Sequence, residues 1–308
     1  MNVIFMGTPE FAVDTLQMLI KKHNVLAVVT QPDKPKGRGK KMIPPVVKEI
    51  ALENNIDVLQ PVSAKAPEFA EELKKYNADI FVVAAYGQIL PEEVLNIPKY
   101  GSINVHGSLL PLYRGAAPMQ RAVMDGCKVT GITIMHMAKG LDCGDMISKR
   151  EVEITDEDSY GTLGKKLALC GAELLEEALK DIENGTAKRE KQDDSKATYA
   201  HMINRDMTHI NWNKTAFEIS CFVRGLNPNM GAYTLLNGEV LKIWKVRVLD
   251  KEYSGENGCI CETNKKGFIV KCAKGSIEVL SVQAKGGKEM DTGAYMRGHA
   301  VETGTVLQ

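Results

Sequence analysis

Residues 80–106 read IFVVAAYGQILPEEVLNIPKYGSINVH, and their pattern decides the fold. Ile80–Ala84 is an uninterrupted apolar run, as a strand covered on both faces requires. Ser102–His106 is a second short strand. Alternate strand residues face the same side, so Asn104 and His106 share a face. They lie at the strand's carboxyl end, where open α/β sheets bind ligands. Upstream, Val3–Met6, Val25–Thr30 and Asp57–Leu59 read as strands, and Pro45–Asn54 and Ala66–Tyr76 as helices. Gly7-Thr8-Pro9 reads as a turn into a helix, with Thr8 as cap and Pro9 at the first helical position. Downstream come a helix near Pro118–Asp125, a strand at Thr130–Met137 and a long helix at Thr162–Glu183. This alternation predicts an α/β domain, a doubly wound and mostly parallel sheet.

The pattern changes after residue 187. Lys188–Lys196 (KREKQDDSK) is charged and aperiodic, and 188–205 reads as a linker. A helix at Lys214–Gly225 follows. Ala232–Leu236 and Val240–Val248 flank Asn237-Gly238, a hairpin signal, and Cys259–Glu262, Phe268–Cys272 and Ile277–Val282 are further short strands. Their spacing predicts a small antiparallel β-barrel, OB-like, over residues 206–308. The expected organisation is a catalytic domain at 1–187, the linker, and the barrel.

Composition narrows the function classes. Of 308 residues, 44% are hydrophobic and 25% charged, ordinary for a globular protein with two domains. No run approaches the roughly 20 apolar residues of a membrane helix, and MNVIFMGTPEF reads as a first strand rather than a leader. The seven cysteines form no CxxC pair, which argues against a disulfide framework or a zinc site and for a reducing, cytoplasmic setting. Net charge is zero, so any nucleic-acid contact must come from local clusters. One such cluster is Asp33–Lys41, DKPKGRGKK, between a strand and a helix; it carries Lys34, Lys36, Arg38, Lys40 and Lys41. Lys245 and Arg247, two apart on a barrel strand, are another candidate. The first βα turn lacks GxGxxG, which weighs against a dinucleotide oxidoreductase. Nothing demands a second copy of the chain, and a monomer is expected.

The Asn104–His106 pair runs into Gly107-Ser108-Leu109-Leu110-Pro111. The strand at 130–137 runs into Ala138-Lys139-Gly140-Leu141-Asp142-Cys143-Gly144-Asp145, a loop able to bring Asp142 beside the pair. Singly, each polar residue has an ordinary structural role as turn former, core histidine or loop cap. Together they form an acyl-transfer constellation: Asn104 and His106 can donate to a developing oxyanion, and Asp142 can orient His106 or accept a proton.

NVHGSLLPLYRG (Asn104–Gly115) resembles the signature of the folate-dependent formyltransferases, and GTPEFA (7–12), YGQILP (86–91) and GLDCGD (140–145) are similar to segments of the tRNA-acting members. The resemblance implies catalysis by Asn104, His106 and Asp142. It implies 10-formyltetrahydrofolate as formyl donor, held by Ser108, Leu109, Leu110 and Pro111; Gln88, Ile89 and Leu90, which follow another strand end, are a second candidate wall. It implies methionyl-initiator tRNA as acceptor, touched by the basic loop with Lys36, Arg38, Lys40 and Lys41; Lys245 and Arg247 of the barrel, read from their strand, are candidates for further contacts to the tRNA backbone. No metal is implied. Amino sugar nucleotides and glycinamide ribonucleotide are the competing acceptors within the same family.

Overall fold

The computed structural model describes residues 1–36 and 41–308, without the side chain of Lys36. The chain folds as two compact units. The first comprises Met1–Pro118, Val129–Glu153 and Gly164–Ala200, and the second Met119–Lys128, Ile154–Leu163 and His201–Gln308.

The first unit is built in chain order from β1 (Asn2–Gly7), α1 (Val13–Lys22), β2 (Asn24–Val29), β3 (Lys34–Lys36), β4 (Lys41–Ile43), α2 (Val46–Glu53), β5 (Asp57–Leu59), α3 (Pro67–Lys74), β6 (Ile80–Ala84), α4 (Glu92–Leu95) and β7 (Ser102–His106). After α5 (Pro118–Met124), which from Met119 on belongs to the second unit, come β8 (Val129–His136), β9 (Met146–Glu153) and α6 (Tyr160–Asn184), the last in the first unit from Gly164. The seven-stranded sheet has the order β5-β2-β1-β6-β7-β8-β9. Its first five strands are parallel, and β8 and β9 run antiparallel to their neighbours.

The chain first builds outward from β1 to β2 and β5, then returns to build β6 and β7 on the other side. Right-handed crossovers therefore place α1 and α2 on one face and α3 and α4 on the other. The second face buries Ile4, Met6, Ala27, Val29, Phe81 and Val83 against Phe69, Leu73, Val94 and Leu95. The reversal between β1 and β6 is the switch point where such sheets open a crevice. The Thr8 hydroxyl lies at this crevice and donates to the Tyr86 carbonyl at 2.9 Å. Thr8 thus joins two strand ends and does not cap a helix: a 3₁₀ turn, Glu10–Ala12, intervenes before α1, whose N-cap residue is Ala12.

The strand expected at 130–137 is β8, which runs antiparallel within the mostly parallel sheet. Its neighbour β9 was not expected, because the alternating burial of an edge strand (Met146–Glu153) reads as polar sequence. The basic stretch also carries regular structure: β3 and β4 pair as a hairpin, Lys34 opposite Ile43 and Lys36 opposite Lys41. Arg38 and Lys40 lie outside the described residues. At the hairpin's base, Lys48 Nζ donates to both Asp33 oxygens (2.9 Å each) and to Gln60 Oε1 (2.8 Å). The Gln60 hydrogen bond, then Lys48, holds the Asp33 carboxyl below its ordinary range.

The second unit contains α7 (Ala216–Leu226), β10 (Ala232–Leu236), β11 (Glu239–Leu249), β12 (Ile260–Thr263), β13 (Phe268–Lys271), β14 (Ser276–Ala284), β15 (Met290–Asp291) and α8 (Thr292–Met296). Helix α7 starts with a reciprocal capping box between Thr215 and Glu218. The sheet order is β10-β11-β14-β13-β12, with β15 on β14. The last residues close it. Ile260 N–H donates to Thr305 and Leu307 N–H to Gly258, while Leu235 and Gln308 exchange both backbone bonds at 2.7 and 3.1 Å. This strap has no strand-like pattern in sequence, yet it joins the β12 end to β10 and buries Leu307. Leu307→Ala should cost about 2–4 kcal/mol of stability. The readout is the urea midpoint of the second unit; an unchanged midpoint would remove the strap from the core.

Candidate active site

Asn104 and His106 are held by β7 on the same side as Ser102, whose hydroxyl donates to the Leu95 carbonyl at 2.9 Å. Both are buried, at 9% and 5% exposure. No described residue hydrogen-bonds the Asn104 carboxamide, so its amide donors are available to a ligand. His106 Nε2 lies 3.0 Å from the Tyr113 carbonyl. A carbonyl only accepts, so Nε2 carries a proton. This leaves Nδ1 facing Asp142 Oδ2 at 3.7 Å, beyond a hydrogen bond but within strong electrostatic reach. Oδ2 itself accepts from the Gly115 backbone N–H at 2.8 Å. The structure therefore brings the Asp142 loop and the 104–115 segment together.

Thr133 holds the 108–110 turn, and sequence reading did not single it out. On β8 it sits opposite His106. Its fully buried hydroxyl donates to the Ser108 carbonyl (2.8 Å) and accepts from Leu110 N–H (3.0 Å). On the same strand Gly131 leaves room for Leu109: a Cβ there would lie 2.5 Å from Leu109 Cδ2 and 2.2 Å from the Arg150 carbonyl. A threonine in a strand is ordinary β chemistry, so only the pairing reveals this role.

The expected folate residues divide. Ser108 is fully buried and its hydroxyl donates to the Leu112 carbonyl at 2.6 Å, which locks the turn. Leu110 packs with Met135 and Met146. Leu109 and Pro111 are half-buried on this turn. Gln88 uses its carboxamide to pin the 61–64 segment, accepting from Ala64 N–H at 2.7 Å and donating to the Pro61 carbonyl at 3.2 Å. Leu90 is buried, whereas Ile89 is 74% exposed.

The segment read as a linker contacts the site directly. Tyr113 N–H donates to the Thr198 hydroxyl (2.8 Å), and Arg114 bridges Tyr199, its N–H donating to the Thr198 carbonyl (2.8 Å) and its carbonyl accepting from Ala200 N–H (2.7 Å). Gly115, at φ +120°, faces the Ala200 carbonyl at a distance no side chain would allow. Among the described residues, positive φ outside Gly and Asn occurs at Ala85, Tyr113 and Asp142. Two of these three belong to the loops that meet at His106.

Of the barrel cations, Lys245 lines a hollow of about 410 Å³ with Lys265, Lys266 and Arg297. Arg247 instead pairs with the buried Glu278 at 2.5 Å. Register shifts on either side of Lys245 interrupt the alternation that would have put the two on one face. Among the described residues no group of three His, Cys, Asp or Glu is placed to hold a metal, and no helix is long and apolar enough to cross a membrane.

Residues 1–179 match the formyl transferase family, and residues 202–300 match the formyl transferase C-terminal domain. The chain belongs to the formyltransferase family. This formyltransferase is 49% identical over 309 residues to the methionyl-tRNA formyltransferase of Acetivibrio thermocellus, covering 100% of this chain and 99% of the relative. It is 49% identical over 310 residues to that of Caldanaerobacter subterraneus subsp. tengcongensis, covering all of both chains. Its fold matches an N-formyltransferase from Helicobacter canadensis in complex with folinic acid and dTDP-3-aminofucose, with a TM-score of 0.68, 23% identity, and coverage of 92% of this chain and 99% of that one.

Thr133→Val keeps the shape but strips both bonds from the Ser108–Leu110 turn of this formyltransferase. A buried N–H and a buried carbonyl lose their partner, at roughly 1–3 kcal/mol for each such group. Thermal unfolding should show a lower midpoint. An unchanged midpoint would mean that the turn stands without Thr133.

Proposed function

We propose that this chain transfers the formyl group of 10-formyltetrahydrofolate to the α-amine of methionyl-initiator tRNA, in translation initiation. The observation that carries the chemistry is the approach of Asp142 to His106, 3.7 Å apart, beside the unengaged carboxamide of Asn104. The choice of acceptor is supported by relatives named methionyl-tRNA formyltransferase that align along both units.

In this reading the amine nitrogen attacks the formyl carbon. A C–N bond forms, and the formyl oxygen becomes an oxyanion. Asn104 donates its amide N–H to that oxygen. The attacking nitrogen must shed a proton. His106 Nδ1 faces the site and, when unprotonated, can take it, because Nε2 is already committed to the Tyr113 carbonyl. The resulting imidazolium lies between that carbonyl and the Asp142 carboxylate. Collapse of the tetrahedral centre breaks the bond to the folate nitrogen, which receives the proton. The pterin is read by the 108–111 turn, whose Ser108 hydroxyl and Leu110 N–H are fixed from within, with Gln88, Ile89 and Leu90 as the opposite wall. Rigid turns suit a flat ligand, because little order is lost on binding.

On the tRNA side, the basic stretch of residues 33–41, with Lys36, Arg38, Lys40 and Lys41, supplies one set of phosphate contacts. Lys245 supplies another, reinforced by Lys265, Lys266 and Arg297 around its hollow. Arg247, tied to Glu278, contributes less charge. One chain supplies every group named, so a monomer suffices.

The acceptor test is formyl transfer from 10-formyltetrahydrofolate to charged initiator tRNA, run beside a dTDP-linked amino sugar. Transfer to tRNA alone is expected; transfer to the sugar alone would replace this reading with the amino-sugar one. Asn104→Ala should lower kcat about 100–1,000-fold, the usual cost of one oxyanion donor. Asp142→Asn should lower it by at least about 100-fold with folate binding retained, and a rate within tenfold of wild type would exclude Asp142 from the chemistry. Lys245→Ala should reduce the slope of log affinity against log salt by about one counterion, whereas an identical slope would show that Lys245 touches no phosphate.

A further inference from the structure

We propose that Gln192 is a positioning residue for the Asp142–His106 pair, so that the polar segment following α6 forms a third wall of the site. The inference rests on the formyl-transfer reading above. Gln192 Nε2 donates to the carbonyls of Asp142 and Gly144, at 2.8 Å each. Its Oε1 accepts from Arg114 Nε at 2.9 Å and Nη2 at 2.7 Å. Both protons and both lone-pair directions of one amide are thereby used. Arg114 is 4% exposed and also binds Asp194 Oδ1 at 2.7 Å.

The location of these partners separates a positioning role from general packing. Arg114 stands between Tyr113, whose carbonyl accepts from His106 Nε2, and Gly115, whose N–H donates to Asp142 Oδ2. A closed ring results: Asp142 carboxylate, Gly115 backbone, Arg114 guanidinium, Gln192 amide, Asp142 carbonyl. Gln192 ties the loop bearing the acid to the loop bearing the histidine's anchor from a third segment, beside the direct bond from Gly115 to the Asp142 carboxylate. Asp142 sits at φ +47°, a conformation that costs an ordinary residue about 1–2 kcal/mol unless its surroundings impose it. Two N–H groups from Gln192 on the carbonyls of residues 142 and 144 impose it. With the pair 3.7 Å apart, a small drift of either loop changes their interaction steeply.

Only an amide fits every partner. A glutamate of equal size keeps the bonds to Arg114 but turns acceptors toward two carbonyls. Gln192→Glu is therefore expected to lower kcat about 10–100-fold, the scale of a sub-ångström to 1 Å misplacement, with KM for folate and for tRNA each within about threefold of wild type. Gln192→Met, neutral and of similar length, gives the same reading if the glutamate variant does not fold. In both, the pH at half-maximal kcat should shift from the wild-type value, because the carboxylate moves relative to the imidazole. A kcat within threefold of wild type overturns the proposal. So does a parallel decline of kcat, both KM values and thermal midpoint with an unshifted pH profile, the signature of general loosening. Absence of transfer by the wild-type chain would instead overturn the functional reading.

Discussion

The site depends on one constraint: β8 runs antiparallel to β7. In a wholly parallel sheet the neighbour of β7 would end beside His106 and send a loop away from it. Here β8 passes the carboxyl end of β7 in mid-strand, so that Gly131 and Thr133 face the turn after His106. One supplies space and the other supplies a donor and an acceptor. The turn at 108–110 is thus pinned to a strand instead of being left to its own conformational entropy. The chain leaves β8 beside the amino end of β7, with Met137 N–H bonded to the Ser102 carbonyl, and the loop that follows comes back to His106 and delivers Asp142. Two loops of unrelated origin meet because a single strand reverses the direction of the sheet.

Much of this was legible in residue pattern. Ile80–Ala84 is buried at every position, as its uniform apolarity required, and the parallel core follows from it. Asn104 and His106 share a face because the strand period is two. What was not legible has physical reasons. Beyond the buried Met146 and Ile147, strand β9 alternates half-buried with exposed residues, and in isolation such a run resembles a surface loop. Thr133, Gln192 and Arg114 act through partners between 23 and 80 residues away, and no local period encodes such distances. Segment 188–205 read as a linker because it is charged and aperiodic. Gln192, Asp194, Thr198 and the backbone of Thr198 and Ala200 are instead bonded to loops whose own polar groups needed partners, the general requirement for buried backbone.

The same accounting explains the second unit. A short antiparallel sheet leaves two unpaired edges, β10 and β12, unless something closes it. The strap at 304–308 supplies backbone partners to both ends, and Leu307 fills the space between. The Trp212 indole donates to Thr234, whose hydroxyl donates to the Gln308 carbonyl, so a buried relay ties the strap to β10. An antiparallel barrel is expected of the strand spacing, but its closure depends on residues with no strand signal of their own.

A backbone strained at a functional site persists only when its surroundings over-determine it. Tyr113 at φ +58° and Asp142 at φ +47° illustrate how this is done. Tyr113 has its N–H on Thr198 and its carbonyl on His106. Asp142 has its carbonyl on Gln192 and its carboxylate on Gly115. Each strained residue is gripped on both sides of its Cα, and three of the four grips come from segments remote in sequence. The hydroxyl, amide and imidazole that do the gripping are neutral or conditionally charged, so the ionic character of the site is concentrated in Asp142 and in the Arg114–Asp194 pair behind it. Such a division suits acyl transfer to an amine. The charge that develops on the reacting oxygen and nitrogen meets dipoles fixed before the reaction begins, and little reorganisation is left for the transition state itself.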